Sequence, residues 1–332
     1  MVSLRTVVAR LAVAGVVAVA AIEWLLIVLQ PGDGPFAVLQ VLAPHLALVG
    51  LAFVPVAVAA RRDRGTLIPA LVLLSAVGLR FGGEWLSLPS AVAAGDNTVD
   101  VVTWNLEAGS RPGAETAATL AAHPADVVAL QELQPDVAAA IAAHPALASL
   151  YPYRDLEPDE TVLGLGLLSR FPLRGVTTSH WPAIQQASVV VNDQTIALIN
   201  GHPMHGAFEF LANTRLPIGI DNTARDGDLE TIDQMLDRQE AAGVPAILLG
   251  DLNTASSEPA FHRLIAGRRD VHAEVGQGPG WTWRPIRLEF LGMGLVRIDQ
   301  VIVSSDIAPV AISETCPPVG DHCLVGATVR LP

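Results

Sequence analysis

Lysine is absent: all 20 basic residues of this 332-residue chain are arginine. The bias of a GC-rich genome accounts for that without a functional reading. Aromatic residues make up only 5% of the chain and charged ones 16%, while 51% are hydrophobic. A balance this apolar excludes a soluble domain alone. There are two cysteines, Cys316 and Cys323, and no second pair, so a zinc site is not indicated. An oxidising compartment would let the two pair. Two unpaired small apolar residues fit the same spacing. No internal repeat is present.

Positive charge is also scarce. The formal net charge is −13, with +2 on residues 1–95 and −15 on residues 96–332. An acidic body lacks the broad electrostatic footprint of a nucleic-acid binder, although a local basic groove stays open.

Long apolar runs are abundant, and they crowd into the first 95 residues. Val7–Leu29 is interrupted by Arg10 near its start and by Glu23-Trp24 near its end. About 20 such residues span a bilayer core. The turn Pro31–Pro35 leads to a second run, Phe36–Ala60, which ends at Arg61-Arg62-Asp63-Arg64. Thr66–Trp85 is a third run and contains Arg80, whose long side chain can snorkel toward the interface. The first run is long for the apolar region of a cleaved signal peptide, and further runs follow it. The chain therefore reads as a membrane anchor of three transmembrane helices, residues 1–95, followed by a globular domain, residues 96–332. Arg5 and Arg10 precede the first run, Arg61, Arg62 and Arg64 join the second to the third, and the intervening loop has no basic residue. The positive-inside rule then puts the N-terminus in the cytoplasm, and three spans deliver residue 96 to the outer side. The expected location is the cell membrane, multi-pass, with the globular domain extracytoplasmic. If the third segment fails to span, that domain faces the cytoplasm.

From Asp96 the pattern becomes α/β. Thr98–Trp104, Val127–Leu130, Ser188–Val191, Thr195–Ile199, Ala246–Leu249 and Ile298–Val303 are apolar, β-branched runs that read as strands. Asn192-Asp193 suggests a hairpin. Ala114–Ala122, Pro135–Ala143 and Gly227–Ala242 read as helices, the last closed by Gly243. Pro203–Asp226 has mixed character and no clear element.

Several strands end on a polar side chain. Gly250-Asp251-Leu252-Asn253-Thr254 follows a buried-looking run, and Asp251 and Asn253 share a direction because side-chain period in a strand is two. The same pentapeptide alone would pass as a polar β-turn. It is not alone. Other strands deliver Asn105, Gln131-Glu132 and Asn200-Gly201-His202; Asp299 lies within a strand, and Asp321-His322 precede one. Together these groups can bind one hard cation and hydrolyse a phosphate ester.

In this order the motifs resemble the endonuclease/exonuclease/phosphatase superfamily, with its deoxyribonuclease I-like fold. The resemblance covers residues 97–332. It rests on Thr103–Leu106, Leu130–Leu133, Asn200–His202, Gly250–Thr254, Arg297–Asp299 and Gly320–His322, with Leu167–Pro172 as a further landmark. It implies a four-layered α-β-β-α sandwich and hydrolysis assisted by Mg²⁺ or Mn²⁺. Glu132 is then the direct metal ligand, with Asn105 beside it and Asp321 near the metal. His322 faces the phosphate, with Asp299 accepting its other ring proton. Asp299 could instead be a structural carboxylate paired with arginine. Asp251 orients or deprotonates the attacking water, Asn253 supports the phosphoryl oxygens, and His202 acts near the leaving group, a place His205 could also fill. Gly201, Pro203, Gln300, Gly320, Leu324 and Asp228 depart from the usual pattern without removing a needed chemical group.

The superfamily cleaves many phosphoesters, so the fold does not choose the substrate. The tether, the acidic domain and two apolar segments near site residues, Ala207–Ala212 and Leu288–Val296, favour a membrane-linked substrate. Core packing of both segments is the plainer alternative. Trp281 and Trp283 suit interfacial anchoring or substrate stacking, although such residues more often sit half-buried in a core. The layout is similar to bacterial membrane proteins linked to teicoplanin resistance, which implies a phosphorylated envelope lipid as substrate and membrane lipids as partners. Nucleic acid is the second choice of substrate, and a catalytically inactive scaffold is the third reading. No protein partner is inferable.

Overall fold

The structure is a computed structural model and describes residues 4–60, 64–87, 97–110, 112–214, 216–285, 288, 290, 292–318 and 320–332. Arg61 and Arg62 of the arginine cluster, and most of the linker before Asn97, lie outside the described residues. The chain forms two compact units. The first comprises residues 1–86, 207–222 and 257–259; the second comprises residues 87–206, 223–256 and 260–332.

The first unit contains helices α1 (Leu4–Leu29), α2 (Pro35–Val41), α3 (Ala43–Ala60) and α4 (Arg64–Trp85). Among the described residues, two stretches are long and apolar enough to cross a membrane, Thr6–Leu29 and Gly65–Trp85. The second sequence run is not one straight helix: α2 and α3 are bent by 66° at Leu42. Pro44 explains the break, because it has no amide hydrogen and its ring clashes with the carbonyl four residues back. Only if this bent pair counts as one span does the number reach three. Arg80 does not snorkel. Its Nη1 lies 2.8 Å from Oε2 of fully buried Glu23, so α4 and α1 share an ion pair.

The second unit contains β1 (Thr98–Asn105), α5 (Gly113–Ala122), β2 (Val127–Gln131), α6 (Pro135–Ala143), α7 (Pro145–Leu150), β3 (Tyr153–Glu157), β4 (Leu165–Ser169), β5 (Arg174–His180), β6 (Ala183–Val191) and β7 (Gln194–His202). Next in the chain come β8 (Ala207–Phe210) and β9 (Pro217–Asp221), a two-stranded hairpin that belongs to the first unit. The sandwich resumes with α8 (Thr223–Ala241), β10 (Ala246–Asp251), α9 (Pro259–Leu264), β11 (Arg268–Asp270), α10 (Val271–Val275), β12 (Asp299–Ser304), β13 (Ala308–Thr315) and β14 (Leu324–Arg330).

Two six-stranded sheets result, ordered β13-β14-β1-β2-β4-β3 and β11-β12-β10-β7-β6-β5. Period-two alternation builds the layers. Val99, Val101, Val127 and Ala129 of one sheet meet Leu198, Ile247, Leu249 and Val301 of the other in a common core. The opposite face of the first sheet, with Trp104 and Leu130, packs on Leu120 of α5 and Ile141 of α6. The opposite face of the second, with Ile199 and Leu248, packs on Leu229, Ile232 and Leu236 of α8, whose spacing follows the helical repeat. Helix, sheet, sheet and helix are the layers expected from the sequence. Asn192 and Asp193, with φ of 47° and 64°, form the turn between β6 and β7, as their types predict.

Strand direction gathers the polar ends. β1 and β2 run parallel, so Asn105 and Glu132 leave the same edge of the first sheet. β14 is antiparallel to β1 and therefore starts at that edge, just after His322. In the second sheet β7 and β10 are parallel and end at His202 and Asp251. β12 is antiparallel to β10 and opens with Asp299 directly opposite Asp251. Gly250 permits the close approach there: a Cβ at that position would lie 1.9 Å from the Gly201 carbonyl oxygen.

Candidate active site

Asp251 Oδ2 is where the site converges. Asn105 Nδ2 donates to it at 2.9 Å and to Glu132 Oε1 at 2.9 Å, which ties the two sheets together. His202 Nε2 lies 3.7 Å from Asp251 Oδ2 and 3.6 Å from Glu132 Oε1. His322 Nε2 lies 3.6 Å from the same Asp251 oxygen and 3.7 Å from Asp321 Oδ1. Asp251 Oδ1 accepts the Asn253 amide hydrogen at 2.9 Å. Asp251 thus stands between two imidazoles, with Oδ2 facing both.

His322 and Asp299 form a buried pair. The Nδ1 of His322 lies 2.9 and 3.1 Å from the two Asp299 oxygens. This pairing, and not an arginine, accounts for Asp299; Arg297 instead binds Asp270, at 2.7 Å through Nη2. Burial works against the charged imidazole of His322, but Asp299, Asp251 and Asp321 outweigh it and raise its pKa to about 10. Burial raises the pKa of Asp251 as well, and Asp299 adds to that, against the opposing pull of His322 and His202. Burial raises that of Asp321 to about 6, opposed by His322 and reinforced by Glu107 and Glu132.

His205, the other candidate in its segment, is exposed and turns Nδ1 to the Gly206 carbonyl at 2.8 Å. His202 is buried and holds the Val162 carbonyl through Nδ1 at 3.1 Å, leaving Nε2 toward the carboxylates. Asn253 sits at the mouth of β10 with φ of 49°, and its amide donates to the Pro203 carbonyl at 3.0 Å. Buried Arg225 secures that loop by donating from Nη1 to the Asn253 carbonyl at 3.1 Å.

Two donor sets could hold a cation. Asp251, Asp299 and His322 offer ligand atoms within 4.8 Å of one another. A protonated His322 has no lone pair to give, however, and its Nδ1 is committed to Asp299. The carboxylates of Glu132 and Asp321 suit a hard ion better. Asp321 Oδ1 is buried without a hydrogen-bond partner, which is the state of an oxygen left for a cation. Asn105 turns its amide hydrogens to Glu132 and Asp251, while its Oδ1 accepts from the Glu107 amide at 2.9 Å. In this arrangement Asn105 orients the carboxylates.

The loop that carries Asp321 and His322 is braced by residues that no motif announced. Thr315 and Leu324 close the β13–β14 hairpin, and Cys316 is disulfide-bonded to Cys323 immediately above them. Fully buried Arg284 donates from Nη2 to the carbonyls of Pro317 and Gly320 at 2.7 and 3.1 Å. Trp283 donates its indole hydrogen to Asp321 Oδ2 at 3.0 Å, so this ring is fixed to the site and is not an interfacial anchor. Glu107 Oε2 accepts the Asp321 amide hydrogen at 3.0 Å. Behind the site, Gln131 donates to Asn200 Oδ1 at 2.7 Å, and Asn200 donates to the Leu130 and Gly166 carbonyls at 3.0 and 3.2 Å. Gln131 and Cys323 adjoin Glu132 and His322 in the sequence, whereas Trp283 and Arg284 adjoin no site residue.

A family model for the endonuclease/exonuclease/phosphatase family matches residues 102–322, from within β1 to His322. The chain belongs to the endonuclease/exonuclease/phosphatase family. Members of this family are hydrolases of phosphoesters and generally use divalent metals. No curated protein matches the chain by sequence. Solved structures confirm the fold. A truncated Caenorhabditis elegans TDP2 is 17% identical, covering 70% of this chain and 98% of its own, with a TM-score of 0.54. A family protein from Bacteroides thetaiotaomicron is 15% identical over 71% of this chain and 98% of its own, TM-score 0.53. D. rerio TDP2, solved with a single-strand DNA product, is 19% identical over 71% of this chain and 100% of its own, TM-score 0.53.

Proposed function

We propose that this family member is a membrane-anchored, divalent-metal-dependent phosphoesterase whose catalytic domain, residues 96–332, faces the extracytoplasmic side and hydrolyses a phosphorylated envelope lipid or lipid-linked precursor. A glycopeptide-resistance role would follow from such a substrate. The observation that carries the chemistry is the Asp251 carboxylate set between His202 and His322, with Asn105 and Glu132 on the facing sheet. Apolar helices before the domain, and its acidic charge, support a lipid over a nucleic acid.

Glu132 and Asp321 would hold Mg²⁺ or Mn²⁺, which neutralises phosphate charge and polarises the phosphorus–oxygen bonds when bound. Asp251 takes the proton of an attacking water through Oδ2, the oxygen that faces both imidazoles. His322 stays an imidazolium because Asp299 holds its Nδ1 hydrogen, and its Nε2, 3.6 Å from Asp251 Oδ2, donates to a phosphoryl oxygen. His202, as the imidazolium that Glu132 and Asp251 would pair with, gives its Nε2 proton to the leaving oxygen while Nδ1 keeps the Val162 carbonyl. Asn253, held by Arg225, positions the loop that carries the base.

The full-length protein in detergent, with Mg²⁺, should hydrolyse a chromogenic phosphodiester, and Glu132→Ala should lose that activity. Equal absence in both would support an inactive scaffold. Polyprenyl phosphates and peptidoglycan lipid precursors should release phosphate or be cleaved. Rapid DNA cleavage with no attack on any envelope lipid would replace the lipid reading with an extracellular nuclease.

A further inference from the structure

The segment after His202 is neither a loop nor part of the sandwich core. It forms the β8–β9 hairpin and belongs to the unit that contains the apolar helices. Gly34 and Ile220 exchange backbone hydrogen bonds of 2.7 and 3.4 Å. Asn222 fastens the base of the ribbon: its amide hydrogen goes to Asp33 Oδ1 at 2.7 Å and its side chain to the Gly32 carbonyl at 2.7 Å. Ile220 is buried with Ala37 and Val38 of α2. The ribbon is therefore built onto the turn that follows the C-terminal end of α1.

Its remaining apolar side chains have no such cover. Phe208 and Phe210 are 49% and 52% exposed, and Leu211, Leu216 and Ile218 lie between 43% and 59%. Phe208 is opposite Ile220 in the register, so it shares the ribbon face that meets α2, and the Phe210 ring stacks 6.1 Å from that of Phe208 on the same side. Glu209 and Asp221 point to the other face. The ribbon is thus amphipathic, and its apolar face adjoins a helix whose own Phe36 is 47% exposed. The end of α1 is bare in the same way, with Val28 73% exposed. Exposed apolar surface that continues from candidate membrane helices onto a two-sided ribbon fits the boundary between headgroups and acyl chains.

We propose that the β8–β9 hairpin is part of the membrane anchor and that its apolar face, led by Phe208 and Phe210, is seated in lipid at the end of the bilayer where α1 terminates. The proposal rests on α1 and α4 lying in a bilayer. It gives the catalytic unit a second tether. The chain enters the hairpin five residues after His202 and passes through Asn222 into α8, so the lipid-held ribbon is covalently linked to the strand that carries His202.

The test uses the full chain, in which both native cysteines are tied in one disulfide, so an introduced thiol can be spin-labelled selectively. Phe210→Cys and Leu216→Cys report the hairpin, Val17→Cys reports the middle of α1, and Ala118→Cys reports an exposed position on α5. Each is reconstituted in phosphatidylcholine–phosphatidylglycerol vesicles, and label collisions with oxygen and with a water-soluble nickel chelate are compared. Oxygen should dominate at 210 and 216, as at 17, and nickel at 118. Nickel dominance at 210 and 216, with oxygen still dominant at 17, overturns the proposal and leaves the anchor standing. Nickel dominance at 17 as well overturns the membrane reading together with the proposal. Dipolar broadening at 210 that vanishes on dilution with unlabelled protein would assign the apolar face to a second copy and also overturn it.

Discussion

Asp251 and His322 carry the site's electrostatic tension, because both are buried and each depends on the other for charge. His322 is held protonated to a pH of about 10, far above the ordinary value of 6.5. A base whose folded pKa is raised contributes stability that is complete below the unfolded value and disappears as pH rises through the folded one. The protein stripped of metal by a chelator should therefore lose thermal stability between pH 7 and pH 10. His322→Gln should flatten that part of the curve, and an unchanged slope in the variant would remove His322 from the explanation. Asp321 behaves in the opposite sense toward a cation. Its carboxyl keeps a proton up to about pH 6, so a divalent ion must displace that proton to bind. The rise in melting temperature on adding Mg²⁺ should be full at pH 7.5, shrink below pH 6, and be absent in Glu132→Gln at either pH. A Mg²⁺ response in Glu132→Gln equal to that of the unaltered protein would place the ion elsewhere.

At the scale of elements, the strap between β13 and β14 decides whether Asp321 and His322 stay in register with Asp299. The Cys316–Cys323 bond closes a short loop, for which chain entropy implies about 2 kcal/mol of stabilisation. Replacing both cysteines by serine should lower the unfolding free energy by about that amount and reduce kcat on a soluble phosphodiester more than it changes KM. Dithiothreitol should do the same to the unaltered protein and nothing further to the variant; indifference of both would show that Arg284 and Trp283 suffice. The strands that end in Asn105, Gln131, His202 and Asp251 were legible in sequence because buried runs terminate abruptly at polar residues there. Their convergence followed from strand direction once the motif order was seen. Thr282–Arg284 was not legible: it is held by isolated bridges from Trp283 to Val296 and His322, which leave no periodic signature. The hairpin between His202 and α8 was missed for a related reason. Its strands are short, one carries a bulge between Glu209 and Phe210, and its apolar side chains face outward, so alternation marks no core. The break between α2 and α3 did have a signal, Pro44, which a hydropathy pattern reads straight through.

For the whole molecule, the bend at Leu42 matters more than any side chain, since the parity of the spans decides which compartment holds the site. Two crossings return the domain to the side of the N-terminus, and three put it opposite. The arginines that flank the first run and follow the second favour a cytoplasmic N-terminus. The Cys316–Cys323 disulfide supplies a separate constraint, because such bonds persist in oxidising compartments and are rare in the cytoplasm. The two arguments are independent, one from charge at the helix ends and one from sulfur chemistry far along the chain. They agree only if α2 and α3 together make one crossing despite their 66° bend. Fusing alkaline phosphatase to Pro332 should then give active phosphatase in cells, and a green fluorescent protein at the same point, exported unfolded, should stay dark. The converse pattern would make the bent pair a re-entrant element, leave only α1 and α4 as spans, and move both the hydrolase and its substrate to the cytoplasmic leaflet.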